Sequence, residues 1–547
     1  MIRFAKNILL RFNSQKPWLI VIGVYIFFLF ISLMTYNYRP LACDMAEYLN
    51  NPLRILFGDI PYSDFWLLFP PGEVYFPALV YKIFGANTDY ARIVTILTSC
   101  FVPVAGFYLG LRLFGENTEA IIAAFIFYFF SVVTNYEGPD YISLYLLFIL
   151  LGAVNLVKYF RANDKNSNLL VLSGLMMAFA FFFKLYEVGG VYVAFLLMIF
   201  IYEKSQKSLQ KQILKSLTTF VVPGLILFVI LLFAFGSHSS KMLNELIFES
   251  VKNGTSMNLP YFNDLYYITI SLTEDFHSLG TLGNIPAVIN LFYHSLRFIV
   301  ALGYYLIPFL SIIIFIFYFL SKLDKPEYII ALLIFLWALV SFPKALGRSD
   351  LAHLAPSVAP FILFMFFVAV KSKRTVLKKT SLIIVIIMFF SVLFPFFKVL
   401  SLAKTPRQYV KTANGCVPFK KAQDKIDFEN TYNFIIRHTD KSDYIFVTPW
   451  DAPPVYALTG RRNPAYYDSL NDLIIRKDKN KQKKIISDII KHKTKLIIHS
   501  GDWGYDNKPE QQFTVACSLL QQFINERCYP LAKFGFYTIY EIKDMKE

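Results

Sequence analysis

The chain has 547 residues, of which 56% are hydrophobic, 18% aromatic and only 17% charged, with a formal net charge of +16. Soluble domains carry about 25% charged residues, and here the apolar residues fall in long blocks, so a soluble globular protein is excluded. The excess of Lys and Arg is spread over the connections between those blocks, which the positive-inside rule accounts for without a nucleic-acid partner.

Taken in chain order, blocks of the ~20 residues needed to cross a bilayer recur at roughly 17–36, 91–113, 119–134, 139–158, 168–183, 186–203, 216–236, 295–320, 327–343, 353–370 and 380–400. This predicts an α-helical polytopic membrane protein with about eleven spans. The first block follows Arg3, Lys6, Arg11 and Lys16 and is too long for a signal-peptide core, so it is expected to be an uncleaved helix with a cytoplasmic N-terminus. Basic residues concentrate in every second connection, most densely at Lys371, Lys373, Arg374, Lys378 and Lys379. Asp44, Glu47, Glu137, Asp140, Glu187 and Asp350 fall in the other set. That alternation places the acids on the outer face of a cell membrane.

Two outer segments are long. Loop 37–90 is rich in Pro and aromatic residues, and its end, 73–84, reads as an interfacial amphipathic helix. Loop 237–294 reads as a polar loop with short helices. Residues 1–400 therefore form a transmembrane module. Residues 401–547 contain no spanning run and are expected to form an extracytoplasmic α/β domain, with strands near 444–448, 495–499 and 537–542 and helices at 428–438 and 469–491. Cys517 and Cys528 are the favoured pair if this domain holds a disulfide, and buried thiols are an equal alternative.

Several outer residues could carry chemistry. Asp44 follows the first span, and on a helix it would share a face with Glu47 at i, i+3. It reads either as a helix cap or as a general base. Lys184 and Glu187 sit at a turn between strongly apolar helices, as a functional pair or as a solvated turn. The segment 344–353 brings Lys344, Arg348, Asp350 and His353 together, suited to a phosphate or to an ordinary ion-paired loop. Asp140, after Gly138-Pro139, reads as a cap and as a supporting acid. None of the His residues has zinc-ligand spacing, so no dedicated metal site is expected, while a divalent-metal requirement stays open.

The chain resembles the GT-C membrane glycosyltransferases, the group of protein O-mannosyltransferases and lipid A aminoarabinose transferases. The resemblance is carried by Asp44 beyond the first span, Gly58-Asp59-Ile60-Pro61-Tyr62, Phe69-Pro70-Pro71-Gly72 and Phe183-Lys184-Leu185-Tyr186-Glu187. It continues through Gly347–His353, Thr448-Pro449-Trp450 and Gly460-Arg461-Arg462-Asn463-Pro464. It implies a polyprenyl-phosphate sugar donor, a lipid, glycan or protein acceptor, and an inverting transfer at the outer face. Asp44, with Glu47, would be the catalytic acid pair. Lys184, Arg348, Lys344 and His353 would hold the donor phosphate, supported by Asp140, Glu187 and Asp350. Phe69 stands where many relatives have Lys, and Met45 where many mannosyltransferases have a second acid, so neither a mannosyl donor nor a protein acceptor is carried over. The competing reading is a lipid or sugar transporter, which would place ionisable residues at mid-membrane. A non-catalytic outer-face binding protein, working through its terminal domain, is the third.

Overall fold

Backbone polar groups have no water to bond in a bilayer core, so an apolar run there folds as a helix. In the computed structural model the described residues of each of the eleven expected spans are mainly helical, 91–113 as two successive helices, Thr88–Ser99 and Phe101–Phe114, that break at Cys100. The structure describes residues 15–34, 44–67, 69–133, 141–162, 166–249, 260–278, 285–319, 325–347, 349, 351–403, 407–449, 454–467, 478–501, 509 and 512–543. Among these, 8 helices are long and apolar enough to cross a membrane. Two apolar helices, Asn117–Phe130 and Ser167–Phe181, are shorter. At 15 residues the second is about 22 Å long, less than the ~30 Å hydrocarbon core. It packs against helix Gln210–Phe235 by backbone contact: a Cβ on Gly174 would lie 2.0 Å from the Phe220 carbonyl oxygen, and small residues permit such approaches.

Contacts sort the connections onto two faces. Arg161 Nη2 donates to Leu113 O (3.0 Å) and meets Glu327 Oε1 (3.2 Å). Lys371 Nζ lies 3.7 Å from the same carboxylate, and Asn117 Nδ2 donates to Gln15 O. These residues flank connections assigned to one side of the membrane from their basic residues. The described parts of connections assigned to the other side meet one another and the terminal domain: Gly72 N donates to Phe182 O, Lys344 meets Glu187, and Trp66 N donates to Tyr466 O.

Loop 37–90 holds more helix than expected, Asp44–Leu56 and Gly72–Phe84. The second is the helix expected at 73–84, and on it Val74, Ala78 and Tyr81 are buried, whereas Leu79, Ile83 and Phe84 are exposed. In loop 237–294 the short helices Ser239–Leu243 and Asn263–Ser278 appear, and helix Ile285–Phe319 starts ten residues before the expected span.

The terminal domain contains a hairpin of β1 (Gln408–Thr412) and β2 (Gly415–Phe419) and a four-stranded sheet of order β3-β4-β6-β5. β3 (Ile445–Thr448) pairs parallel with β4 (Leu496–His499), and helix Lys479–Lys491 lies between them in sequence. β6 is Tyr537–Ile542, and helix Ala422–His438 extends the expected one by six residues at its start. The rest of the expected helix, 468–477, lies outside the described residues. β5 (Cys528–Phe534) was not foreseen because Pro530 interrupts it; β5 is an edge strand bulged between Pro530 and Ala532, where a missing N–H is tolerated.

Cys517 and Cys528 do not form a disulfide with each other. The ten-residue helix Ser518–Arg527 separates them, by roughly 15 Å, and a disulfide needs Cα atoms within about 7 Å. Burial pushes the Cys528 thiol up to about 11. Both cysteines should therefore resist alkylation in the folded protein at pH 8 and react fully after unfolding without reductant. A reductant requirement in mass spectrometry would contradict this.

Candidate functional site

The helix Asp44–Leu56 is fixed from three directions. Tyr48 Oη meets Thr95 Oγ1 at 2.9 Å, and Tyr81 Oη donates to Leu49 O at 2.9 Å. Asn50 Oδ1 accepts from Ala457 N at 2.9 Å, tying the helix to the terminal domain. Arg54, buried, donates to Asp59 Oδ2, Ala465 O and Asp64 O. Asp44 opens this helix and half-buried Glu47 follows one turn later on the same face.

The chain then turns through Tyr62, fully buried, whose hydroxyl donates to Phe69 O at 2.7 Å. Gly72 N donates to Phe182 O at 2.9 Å, and a Cβ on Gly72 would lie 2.4 Å from that oxygen. Only glycine lets the Pro70-Pro71-Gly72 corner sit so close against the 182–187 turn. The Phe69 ring lies 3.9 Å from Lys184 Nζ, a cation–π contact worth about 0.5–2 kcal/mol. The Phe69 that departs from the family pattern is thus a packing partner of the lysine.

Lys184 Nζ is 3.9 Å and Lys344 Nζ 3.2 Å from Glu187 Oε1. All three side chains are largely buried, at 11%, 16% and 14% exposure. One carboxylate thus faces two ammonium groups, and the first turn of helix Tyr186–Ser205, which carries Glu187, adds the positive end of its dipole. The cluster concentrates two cations and one acid in a largely buried setting. Glu187 and Lys344 also line a narrow cleft with Tyr145, Trp337, Ser341 and Ser357.

The terminal domain closes over this region. Trp66 N donates to Tyr466 O at 2.8 Å. Tyr466 Oη bonds both Tyr62 O (3.1 Å) and the buried Glu245 carboxylate. Lys241 Nζ sits 4.0 Å from the Tyr466 ring, and Tyr186 Oη donates to Leu246 O at 2.7 Å. Burial, followed by the Glu245 charge, pushes the Tyr62 and Tyr466 phenols up, so both remain neutral. A continuous path of contacts therefore runs from Tyr466 through Tyr62 and Phe69 to Lys184.

Of the residues predicted for the site, Lys184, Glu187 and Lys344 come together. His353 is half-buried in the first turn of helix Leu351–Lys371, where its carbonyl accepts from Ser357 Oγ. Arg348, Asp350, Asp140 and Glu137 lie outside the described residues. Sequence reasoning missed Glu245 and Tyr466. Glu245 sat in a loop read only as polar, and a lone Tyr in a helical or loop segment gives no signal. Arg461, quoted in the family motif, is buried inside the terminal domain, donating to Thr439 O and Thr459 O. Arg462 lies over the Phe57 ring at 4.7 Å. That motif therefore docks the domain onto the first loop.

Residues 69–233 match the family model described as dolichyl-phosphate-mannose-protein mannosyltransferase. No curated protein matches the chain by sequence. Three solved structures align with most of it. An oligosaccharyltransferase of Archaeoglobus fulgidus tethered to an acceptor peptide is 11% identical, over 88% of this chain and 69% of that one, with a TM-score of 0.47. ArnT of Cupriavidus metallidurans bound to undecaprenyl phosphate is 12% identical over 95% and 97%, with a TM-score of 0.45. The A. fulgidus oligosaccharyltransferase AglB with an inhibitory peptide and a dolichol-phosphate is 11% identical over 96% and 74%, with a TM-score of 0.46. The family match covers the corner at Phe69, the Lys184–Glu187 turn and the helices between them, and it bears out the resemblance of this chain to the GT-C membrane glycosyltransferases.

Proposed function

We propose that the protein transfers a sugar from a polyprenyl-phosphate donor to an acceptor hydroxyl at the outer face of a cell membrane, with inversion at the anomeric carbon. The observation that carries this reading is the largely buried pair Lys184 and Lys344 brought together at the carboxylate of Glu187. Two ammonium groups converge on one side of the bundle, where a donor phosphate can take hydrogen bonds from both, and charge-assisted bonds to phosphate are among the stronger ones available.

The chemistry follows from charge development. As the bond from the anomeric carbon to the phosphate oxygen breaks, negative charge grows on the leaving lipid phosphate, where fixed cations stabilise it. The acceptor oxygen forms the new bond from the opposite side, and Asp44 takes its proton. Glu47, on the same helical face, assists in placing that acceptor. Arg348 and His353 join the phosphate side, and Asp140 and Asp350 orient the cations. The polyprenyl tail lies between apolar helices, and the terminal domain covers the acceptor.

Binding tests the reading directly. The protein should retain polyprenyl phosphate and reject the uncharged polyprenol; equal retention of both would remove the phosphate site. Orientation is tested separately. Reporters fused after Lys379 and after Thr405 should lie on opposite sides, with the second outside. Two cytoplasmic signals would refute the arrangement.

A further inference from the structure

The face bearing Arg161 and Lys371 holds a second feature, remote from the lysine pair described above. A groove of about 740 Å³ runs between helices Ser167–Phe181 and Gln210–Phe235. Its wall is a single helical stripe that recurs every third or fourth residue from Lys211 to Leu227, about 24 Å along the axis. Val171 and Leu175 form the opposite wall. The lining is apolar except at one end, where Lys211 and Lys215 stand one turn apart beside Thr218 and Thr219.

We propose that this groove binds an anionic glycerophospholipid of the surrounding bilayer, its phosphate at Lys211 and Lys215 and one acyl chain along the stripe. Three observations carry the assignment. The charge is complementary, because no described residue lining the groove is acidic. Glu203, in the last turn of helix Tyr186–Ser205, is fully buried and accepts hydroxyl hydrogen bonds from Tyr159, from Ser208 at 2.5 Å and from Ser216 at 3.1 Å. Its carboxylate is therefore engaged by hydroxyls within the bundle. Finally, the depth matches an acyl chain: the groove begins at the helix end, where a headgroup lies, and continues into the hydrocarbon region. Backbone contact at Gly174 and Phe220 holds the two helices together behind it.

A basic connection alone would follow from the positive-inside trend, and it would then show no lipid preference beyond that of any other exposed basic pair. Lys378 and Lys379, exposed at the start of helix Thr375–Ala403, provide that comparison. The experiment is native mass spectrometry of the full-length protein with phosphatidylglycerol or phosphatidylcholine added to the detergent. We expect preferential retention of phosphatidylglycerol. The K211Q/K215Q variant should lose it by about fivefold per lysine, and Val222→Trp, which fills the groove and keeps both lysines, should lose it as well. K378Q/K379Q should leave it unchanged, and thermal unfolding of each variant reports whether the fold is intact. Equal retention of the two lipids, an equal loss in K378Q/K379Q, or retention of polyprenyl phosphate alone would overturn the proposal. The outcome is separable from the transfer reaction, whose proposed residues lie at the opposite face.

Discussion

Replacing Asp44 with asparagine is expected to lower sugar transfer by about 100- to 10,000-fold, the usual contribution of a general base, while the protein stays folded and still binds polyprenyl phosphate. The substitution separates two roles that the residue type leaves open. Asp44 opens helix Asp44–Leu56, a position where a cap is useful, and Asn caps about as well as Asp. The helix is also held independently through Tyr48, Leu49, Asn50 and Arg54. Its loss is therefore not expected from one altered terminus. Basicity is the property that Asn lacks. Turnover close to that of the unaltered protein would assign Asp44 to capping alone.

The second large effect concerns the lysine pair. Lys344→Gln should weaken polyprenyl-phosphate binding by about ten- to hundredfold, since a hydrogen bond to a charged group is worth roughly 1.5–3 kcal/mol. Glu187 keeps Lys184 as a partner in that variant, so its buried carboxylate is not left unpaired and the fold should persist. Glu187→Gln should act in the opposite direction on binding and also on stability. It removes a carboxylate that both buried ammonium groups meet, and breaking a buried pair by removing one partner costs about 3–5 kcal/mol. Binding isotherms with polyprenyl phosphate, read beside thermal unfolding, distinguish the two. Unchanged affinity in Lys344→Gln would place the phosphate elsewhere.

The elements most legible in the sequence are those governed by one strong constraint. A bilayer demands apolar length, so the expected spans at 17–36, 186–203 and 353–370 return as helices Pro17–Met34, Tyr186–Ser205 and Leu351–Lys371. The strand at Tyr537–Ile542 was legible because β-branched and aromatic residues dominate it. The hairpin of β1 and β2 was not, since only Val410 and Val417 of its residues are apolar and deeply buried.

Lys184, Glu187 and Lys344 were singled out in the sequence, and their meeting at one carboxylate was not legible there; Arg348, the other expected companion of Lys184, lies outside the described residues. The side of the cluster to which Lys344 points is set by the five-residue helix Pro343–Gly347, whose orientation depends on packing between helices remote in sequence. The bond from Tyr466 to Tyr62 joins positions 404 apart, and no local pattern encodes it. The ring of Phe69 was noted only as a departure from a motif, because a cation–π contact leaves no periodic trace.

Transfer itself remains the most direct test. The purified protein would be placed in sealed vesicles with a panel of polyprenyl-phosphate donors radiolabelled in the sugar, together with a mixed lipid, glycan and protein acceptor fraction from a cell envelope. The account predicts that, for one donor, label moves to an acceptor with inverted anomeric configuration, that one polyprenyl phosphate is released per sugar transferred, and that Asp44→Asn abolishes both. Movement of the intact donor across the bilayer with no cleavage of the sugar–phosphate bond would contradict it and make the protein a transporter.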